Sequence, residues 1–477
     1  MALAERRGKT QTSDSRQRPF TVVAPVLASA LVIGVAGGFA LAATLTLSRG
    51  LGIPAGAWWL ALAQAHGHLQ LYGWAGLFVM GVLLHFVPRL RGSPLVGAQW
   101  VRPLLIALIA GLALRALAQP LAAESPLWLW HVLLVASAFV ELLALDGLAA
   151  LVLATLLRGP ALAARPAFRA VLPLLAIGLF SLAAQPLVNL LNLLLAARSP
   201  AGLVPIGPDG LDVTLGLLGF LVPVALAMSA QSLPMYAGLS PFPRRALWPL
   251  ATLYALGLLL LCTGTVWPAV FAARLEGIGM LAIGAALLSF VGIFLRMMRL
   301  RGKLPQTVRS LAPQPEAVAR GYRRQVAAQR SSFGPFVALV ASAYMWALAG
   351  GVLLVLDGVF GLAGAALPIP VDAARHSLAV GFIALLICGI APRMVPGFSG
   401  GHIRSPALVA ATLWLGNAAA LLRVGSVIAG AHVTAGPGAG ITLAAFALSG
   451  PVGLALAAVL AVNLWPAVLA EQRTKSV

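Results

Sequence analysis

The sequence predicts an all-α polytopic membrane protein with about twelve transmembrane helices. Of its 477 residues, 60% are hydrophobic and only 9% are charged, whereas soluble domains are nearer half apolar and a quarter charged. Twelve apolar runs are each long enough to cross a bilayer, which takes roughly 20 residues. The basic residues concentrate in alternate segments between these runs, and this asymmetry predicts an orientation in the membrane.

The seventh and eighth apolar runs are separated by little more than Trp267 and Pro268, which predict a tight turn. The expected organisation is a tail over 1–20, helices 1–8 over 21–298, a basic loop over 299–332 with an amphipathic surface helix near 315–329, helices 9–12 over 333–468, and a tail over 469–477. The apolar runs lie at 21–48, 58–87, 102–122, 127–156, 168–196, 211–236, 246–267, 270–298, 333–357, 373–396, 405–428 and 438–468.

The net charge of +20 is explained by membrane orientation. All but six of the 32 Lys and Arg residues fall in the tails and the alternate loops that share one side, which the positive-inside rule makes cytoplasmic. The expected location is a bacterial inner membrane, with both termini cytoplasmic. Nucleic acid is not an expected partner, because no basic stretch lies on a soluble domain. The six exceptions are Arg49, Arg198, Arg274, Arg375, Arg115 and Arg423.

Histidines near the predicted outer leaflet are the main functional signal, since ionisable residues inside a membrane are costly. His66 and His68 open the second helix and His376 opens the tenth, while His131 and His432 are more simply interfacial. Neutral imidazoles on two helices can clamp one haem between them. His66 and His68 are about 200° apart around a helix, so one of them is the candidate ligand and the other faces a second site or a hydrogen-bond partner. Gly67, Gly73 and Gly76 would admit a flat macrocycle or allow close helix packing.

Three arginines share this depth: Arg115, Arg375 and Arg423. A buried guanidinium needs an anion or carbonyl groups around it. Haem propionates would suit, because guanidinium binds carboxylate in a two-pronged fashion. Pairing with Glu141, Asp146 or backbone carbonyls is the alternative.

Two further polar groups are weaker signals. Gln185, Asn189 and Asn192 share one face of the fifth helix and could form interhelical hydrogen bonds or line a small polar cavity. Met228 and Met235 in the sixth helix could serve copper as soft ligands, or belong to a proline-distorted helix end. The two cysteines, Cys262 and Cys388, form no disulfide framework and no CxxC metal motif.

Three segments resemble the NnrS family. The run His66-Gly-His-Leu-Gln-Leu-Tyr-Gly-Trp is similar to the signature of its second helix, and Arg375-His-Ser-Leu-Ala-Val-Gly to that of its tenth. Leu422-Arg423-Val is similar to the Arg-Val step of the next helix. These motifs cover a small part of the chain, although the helix count fits over nearly all of it.

The resemblance implies a membrane haem protein that also carries copper and is linked to nitric oxide and denitrification. It also implies a bundle like subunit I of haem-copper oxidases, which has twelve core helices and haem ligands on the second and tenth. His66, His68 and His376 correspond to those haem ligands, with the Arg423 position of undefined role. The chain departs from the oxidases in having no histidine on its sixth or seventh helix and one rather than two on its tenth. A binuclear haem-copper centre is therefore not expected.

The sequence thus predicts a haem b protein that handles nitric oxide or another diatomic ligand, with copper as a second candidate cofactor and a respiratory-chain protein as a candidate partner. The haem would lie near the outer leaflet between helices 2 and 10. Whether the protein is an enzyme is left open. The rival predictions are a secondary transporter and a non-catalytic subunit or assembly factor of a respiratory complex.

Overall fold

The computed structural model describes residues 19–266, 269–301 and 315–473, and it confirms the all-α prediction of a multi-pass membrane protein. Twelve of the described helices are long and apolar enough to span a membrane. Residues 1–18 and 474–477 of the two predicted tails, residues 302–314 of the basic loop and the predicted Trp267–Pro268 turn lie outside the described residues. The spanning helices are α1 (Phe20–Gly50), α2 (Ala57–Arg91), α3 (Ala98–Glu124), α4 (Trp128–Leu157), α5 (Pro166–Ala196), α6 (Ile206–Ala237), α7 (Arg244–Val266), α8 (Phe271–Arg299), α9 (Phe336–Leu362), α10 (Val371–Ser399), α11 (Pro406–Gly430) and α12 (Gly436–Ala470).

The centre of the bundle is formed by α2, α6 and α10. The most apolar stretch of α2 is 94% buried, that of α6 89% and that of α10 78%, whereas none of the other described spanning helices exceeds 50%. A helix enclosed on all sides presents its polar residues to protein rather than to lipid. The helices α2 and α10 therefore direct His66, His68 and His376 towards the bundle rather than towards lipid.

The surrounding helices pack mainly as sequence neighbours, in the pairs α3–α4, α7–α8, α8–α9 and α11–α12, and α12 closes against α1. Glycines allow the tightest of these contacts. A Cβ on Gly279 of α8 would lie 2.7 Å from the carbonyl oxygen of Gly257 on α7, closer than atoms can approach, so the two backbones touch directly.

The two ends of the bundle differ in chemistry. We call the end that carries His66 and His376 the histidine face, and the opposite end, where α2, α6 and α10 finish, the basic face. At the basic face α2 ends at Gly92 (φ 67°) and α6 at Gly238 (φ 65°), left-handed positions that favour glycine as a C-terminal cap. A further helix, Pro315–Phe333, packs against α11 and matches the predicted amphipathic helix. Its Arg320, Arg323 and Arg330 are exposed.

Four stretches of π-helix interrupt the α-helical geometry: Gly34–Phe39 in α1, Leu69–Gly76 in α2, Leu215–Leu221 in α6 and Ser377–Ala384 in α10. Such widened turns are rare and occur frequently at functional sites. The stretches in α2 and α10 begin directly after His68 and His376, and the one in α1 contains Gly38, which is a hydrogen-bond partner of His66. The irregular turns thus lie at the depth where the sequence predicts a site.

Candidate functional site

His66 leaves α2 on the side of α1, with one ring nitrogen fixed and the other free. Its Nδ1 lies 2.8 Å from the carbonyl oxygen of Gly38. Because a carbonyl only accepts hydrogen bonds, Nδ1 carries the proton and Nε2 keeps its lone pair. This is the arrangement of metal-binding histidines, whose second nitrogen usually donates to a carbonyl or carboxylate.

His376, on the first turns of α10, repeats the arrangement. Its Nδ1 lies 3.0 Å from the backbone oxygen of Asp372 and 3.0 Å from the Oδ1 atom of the same residue. Both atoms are acceptors here, so Nδ1 is again the protonated nitrogen and Nε2 is free. Arg423 of α11 donates to the other carboxylate oxygen of Asp372 at 2.8 Å. A chain of contacts from α11 through Asp372 therefore fixes the ring of His376.

These two histidines belong to one electrostatic neighbourhood, since His66 interacts with His376, Asp372 and Arg423. Their helices are not packed extensively against each other at this depth. The first half of α2 packs on α1, α3 and α6, whereas the first turns of α10 pack on α9 and α11. The two histidines thus lie on different pairs of neighbouring helices at the same end of the bundle.

The glycines beside the histidines divide into two kinds. A Cβ on Gly67 would have no neighbouring atom within 4 Å, whereas a Cβ on Gly73 would lie 2.7 Å from the side chain of Ile33 and one on Gly76 2.5 Å from the carbonyl oxygen of Leu71. Gly67 therefore borders open space, Gly73 allows close packing on α1, and Gly76 lies against a carbonyl of the widened turn in its own helix.

The two arginines on this side differ in their contacts. Arg423 makes the bond to Asp372 and lies 4.7 Å from the ring centre of Phe446, but its Nε is buried without a hydrogen-bond partner. Arg375 extends towards the start of α6, with its Nη2 3.5 Å from the Cβ position of Gly210. An unpaired guanidinium nitrogen in a buried place is costly, so Arg423 has unused capacity for a carboxylate.

His68 occupies an opposite environment on the far side of α2. It is 3% exposed, and its Nε2 lies 2.5 Å from an oxygen of Glu141 on α4 while its Nδ1 lies 3.7 Å from an oxygen of Asp212 on α6. Asn189 of α5 donates to the same Glu141 oxygen at 3.3 Å. With both nitrogens facing carboxylates, His68 joins three helices rather than presenting a free ligand atom.

Arg115 of α3 belongs to this second group of residues and not to the side of His66. Its guanidinium donates to Asn189 and to Gln119, both at 2.7 Å. Gln119 in turn donates to Gln64 at 2.8 Å, and Gln64 donates to the carbonyl of Val204 at 2.7 Å. Both hydrogen-bond partners of Arg115 are buried protein side chains, so the guanidinium does not need a ligand to satisfy it.

The polar face of α5 completes the group, which we call the His68 network: Gln64, His68, Arg115, Gln119, Glu141, Gln185, Asn189 and Asp212. Gln185 donates to Asp212 at 2.6 Å, and Asn192 donates to the carbonyl of Pro208 at 2.9 Å. The face therefore makes interhelical hydrogen bonds, the first of the two interpretations that its spacing allowed. Towards the basic face the network meets apolar residues and a cavity of only about 10 Å³ beside Tyr72.

Four residues of these sites were not singled out in the sequence: Gln64, Gln119 and Asp212 of the His68 network, and Asp372 beside His376. Three of them carry a signal that could have found them: each lies four residues from a singled-out partner, in the pairs Gln64–His68, Arg115–Gln119 and Asp372–His376. Residues four apart share a helix face. Asp212 has no such local signal, because its partners all lie on other helices.

The remaining histidines lie elsewhere. His131 faces the carbonyl of Ser199 at 3.2 Å, His432 is exposed in the loop before α12, and His85 stacks on Phe398 with ring centres 3.5 Å apart near the basic face. His402 lies at the basic face as well. Within the described residues, none of these four histidines makes a hydrogen bond or a ring contact with His66 or His376.

The residues described do not offer a copper site. They contain no group of three or more His, Cys, Asp or Glu placed to hold a metal ion. Met228 is buried but Met235 is 66% exposed, so the two sulfurs do not share an environment. The space between α8, α9 and α10 is filled by aromatic rings, with Tyr344 stacked on Phe294 at 3.7 Å.

Comparison with known proteins identifies the fold but not a family. No family model matches the sequence, and no curated protein matches it. Among solved structures, the chain is similar to a haem-copper terminal oxidase determined as a dimer by cryo-electron microscopy. The TM-score is 0.61 over 94% of this chain and 84% of the oxidase chain, at 13% sequence identity. The protein therefore has the fold of a haem-copper terminal oxidase, in line with the predicted subunit I-like bundle.

Proposed function

We propose that the protein binds one b-type haem near the histidine face, between α2 and α10, with the Nε2 atoms of His66 and His376 as axial ligands. The main support is the matched state of the two rings: each has Nδ1 fixed by a backbone carbonyl and Nε2 free. Imidazole nitrogens in this state are the axial ligands that haem iron takes in many proteins. The open space beside Gly67 and the fold of a haem-copper oxidase are consistent with this proposal.

Of the adjacent pair, we assign the ligand role to His66. The ring of His68 lies between Glu141 and Asp212, and releasing it would leave the buried Glu141 with only the amide of Asn189 as a hydrogen-bond partner. Breaking a buried charge pair of this kind costs about 3–5 kcal/mol. His68 instead fixes the rotation of α2, and thereby the direction in which His66 points.

The propionates would be held by Arg423 and Arg375. Arg423 has a buried Nε without a partner and is already positioned by Asp372, and Arg375 lies at the first turn of the same helix as His376. Arg115, the third candidate, has its guanidinium bonded to Gln119 and Asn189. We therefore leave Arg115 out of the proposed haem contacts.

A haem so held supplies one-electron transfer or, with one axial position open, binding of a diatomic gas. Because the proposed site would supply a histidine for each position, we propose electron transfer linked to nitric oxide as the function, in a bacterial inner membrane with the basic face cytoplasmic. A respiratory-chain protein is the proposed partner. Copper does not fit the described residues, and we assign it no role.

Two observations weigh against the transporter alternative. The amide side chains that would bind a substrate, Gln185 and Asn189, are bonded to Asp212, Arg115 and Glu141, and the adjoining cavity is far smaller than the several hundred Å³ typical of ligand pockets. A role as a subunit or assembly factor would predict a stable partner and no haem. Both alternatives would be favoured if the experiment below found no haem in the purified protein.

The test is a reduced-minus-oxidised visible spectrum, with haem quantified as pyridine haemochrome, on protein purified from haem-replete cells. We expect a b-type spectrum at about one haem per chain, lost in His66→Ala and in His376→Ala. His131→Ala is the matched control, since its ring bonds only the carbonyl of Ser199, and it should keep the full haem content. Haem-free wild-type protein, or full haem in His376→Ala, would overturn the proposal.

A further inference from the structure

A second site lies at the basic face, remote from the proposed haem. A half-open cavity of about 760 Å³ is lined by the segment between α10 and α11 and by the last turns of α12. This volume is within the range of ligand pockets. His402 and Arg404 line one part of the cavity, and Val462, Trp465 and Leu469 of α12 line another.

The wall of the cavity is held in place by specific bonds. Asn463 of α12 is fully buried, its carbonyl accepts from the backbone nitrogen of Arg404 at 2.9 Å, and its Oδ1 accepts from that of Ser405 at 2.9 Å. Beside it, a Cβ on Gly401 would lie 2.7 Å from the Cβ of Ala470, so the segment touches α12 there. The segment is thus anchored to α12 on both sides of His402, and the cavity is a fixed feature of the fold.

The two parts of the lining differ in polarity. Arg404 and His402 are exposed, and among the described residues no carboxylate forms an ion pair or hydrogen bond with either side chain. Val462 is 47% exposed and Trp465 38% exposed, and both lie on a helix that is apolar enough to span a membrane. Tryptophan is enriched at the level where lipid headgroups begin. Cationic and apolar surfaces therefore meet within one cavity at the end of a spanning helix.

We propose that this cavity binds an anionic phospholipid of the leaflet at the basic face. The lipid phosphate pairs with the Arg404 guanidinium beside His402, and an acyl chain lies along Val462 towards the membrane interior, with Trp465 and Leu469 on the later turns of α12 beside the headgroup. Basic pockets between spanning helices are known to take anionic headgroups. A free phosphate ion would leave the apolar part uncovered, and a neutral lipid would leave the arginine without a counter-charge.

The test is native mass spectrometry of the delipidated full-length protein, titrated in detergent with phosphatidylglycerol or with phosphatidylcholine. We expect one preferred phosphatidylglycerol per chain. Arg404→Gln should weaken its binding about five-fold, the factor that corresponds to about 1 kcal/mol for one basic residue near a membrane surface. Arg102→Gln is the matched control, because Arg102 is exposed near the basic face at the start of α3 but does not line this cavity.

A second variant tests the apolar part. Ala461→Phe places a large ring in the cavity lining and should weaken phosphatidylglycerol binding while leaving the charged residues intact. His402→Gln, at an exposed position, replaces Arg404→Gln if that variant does not fold. Equal losses in the Arg404 and Arg102 variants, equal binding of the two lipids, or displacement of the lipid by millimolar inorganic phosphate alone would each overturn the proposal.

Discussion

His66 and His68 lie two residues apart on α2, yet their surroundings are opposite. His66 has one nitrogen on a backbone carbonyl and the other without a hydrogen bond, and the adjacent Gly67 borders open space. His68 is buried with both nitrogens facing carboxylates from two other helices. The first environment leaves a ring available for a ligand, and the second uses a ring to hold helices together.

The comparison explains how one central helix can carry both roles. A rotation of about 200° between the two residues separates their neighbours completely. The His68 network joins α2 to α3, α4, α5 and α6 through charged and amide groups, and in a bundle such bonds fix a helix about its own axis. The orientation of His66 therefore depends on residues that never contact it.

Removing Glu141 should have the largest effect on stability. Glu141→Ala leaves His68 and Asn189 without their shared acceptor, and breaking a buried charge pair costs about 3–5 kcal/mol. The measurement is the free energy of unfolding from denaturation in mixed micelles. Asp146→Ala, five residues further along α4, is the control: Oδ1 of Asp146 is buried without a hydrogen-bond partner, so its loss should be close to neutral. Equal destabilisation by both variants would contradict the structural role of the network.

Asp372→Asn should act on the other side of α2, on haem retention rather than on folding. The change removes the negative charge that orients both His376 and Arg423. Loss of such a supporting group typically weakens metal binding about 10–100-fold. The rate of haem transfer to apomyoglobin measures the effect, with Asp357→Asn as the control, since Asp357 lies on α9 without a hydrogen bond to either histidine. If haem transfer were equally accelerated in both variants, Asp372 would have no specific role in holding the haem.

Gln64 and Gln70 offer a smaller version of the same contrast. Gln64 makes two hydrogen bonds to the backbone of Val204 and one to Gln119, so Gln64→Ala should cost about 1–3 kcal/mol of unfolding free energy. Gln70 follows His66 by one helical turn, and its Oε1 has no partner. Gln70→Ala should therefore change stability little. The comparison fails if Gln70→Ala proves the more damaging change.

The sequence predicted the fold because the bilayer imposes strong constraints on it. Apolar length alone gave the number of helices, and the twelve observed helices begin and end within a few residues of the twelve runs. Helical geometry also predicted that His66 and His68 lie on opposite sides of one helix. It did not decide which of them is free, because the deciding residues are distant: Gly38, Glu141 and Asp212 lie on other helices.

The arginines show the same limit. Depth in the membrane could be predicted for Arg115, Arg375 and Arg423, but depth does not specify which side of a central helix each one reaches. Arg115 meets Asn189, which is 74 residues away in the chain, and Arg423 meets Asp372. Contacts of this kind depend on how the helices are arranged around α2, and a single sequence does not contain that arrangement in a local pattern.

The smallest and most selective change is Gly67→Ala. With no atom within 4 Å of the new Cβ, the haem-free protein should gain up to about 1 kcal/mol of helix stability, while a methyl group in that open space should hinder a macrocycle held by His66. We therefore expect a higher melting temperature without haem and faster haem loss with it. Gly73→Ala, which meets Ile33 at 2.7 Å, should lower stability in both states. If Gly67→Ala leaves haem binding unchanged, the macrocycle does not pass beside Gly67, and the proposed site must lie on another face of His66.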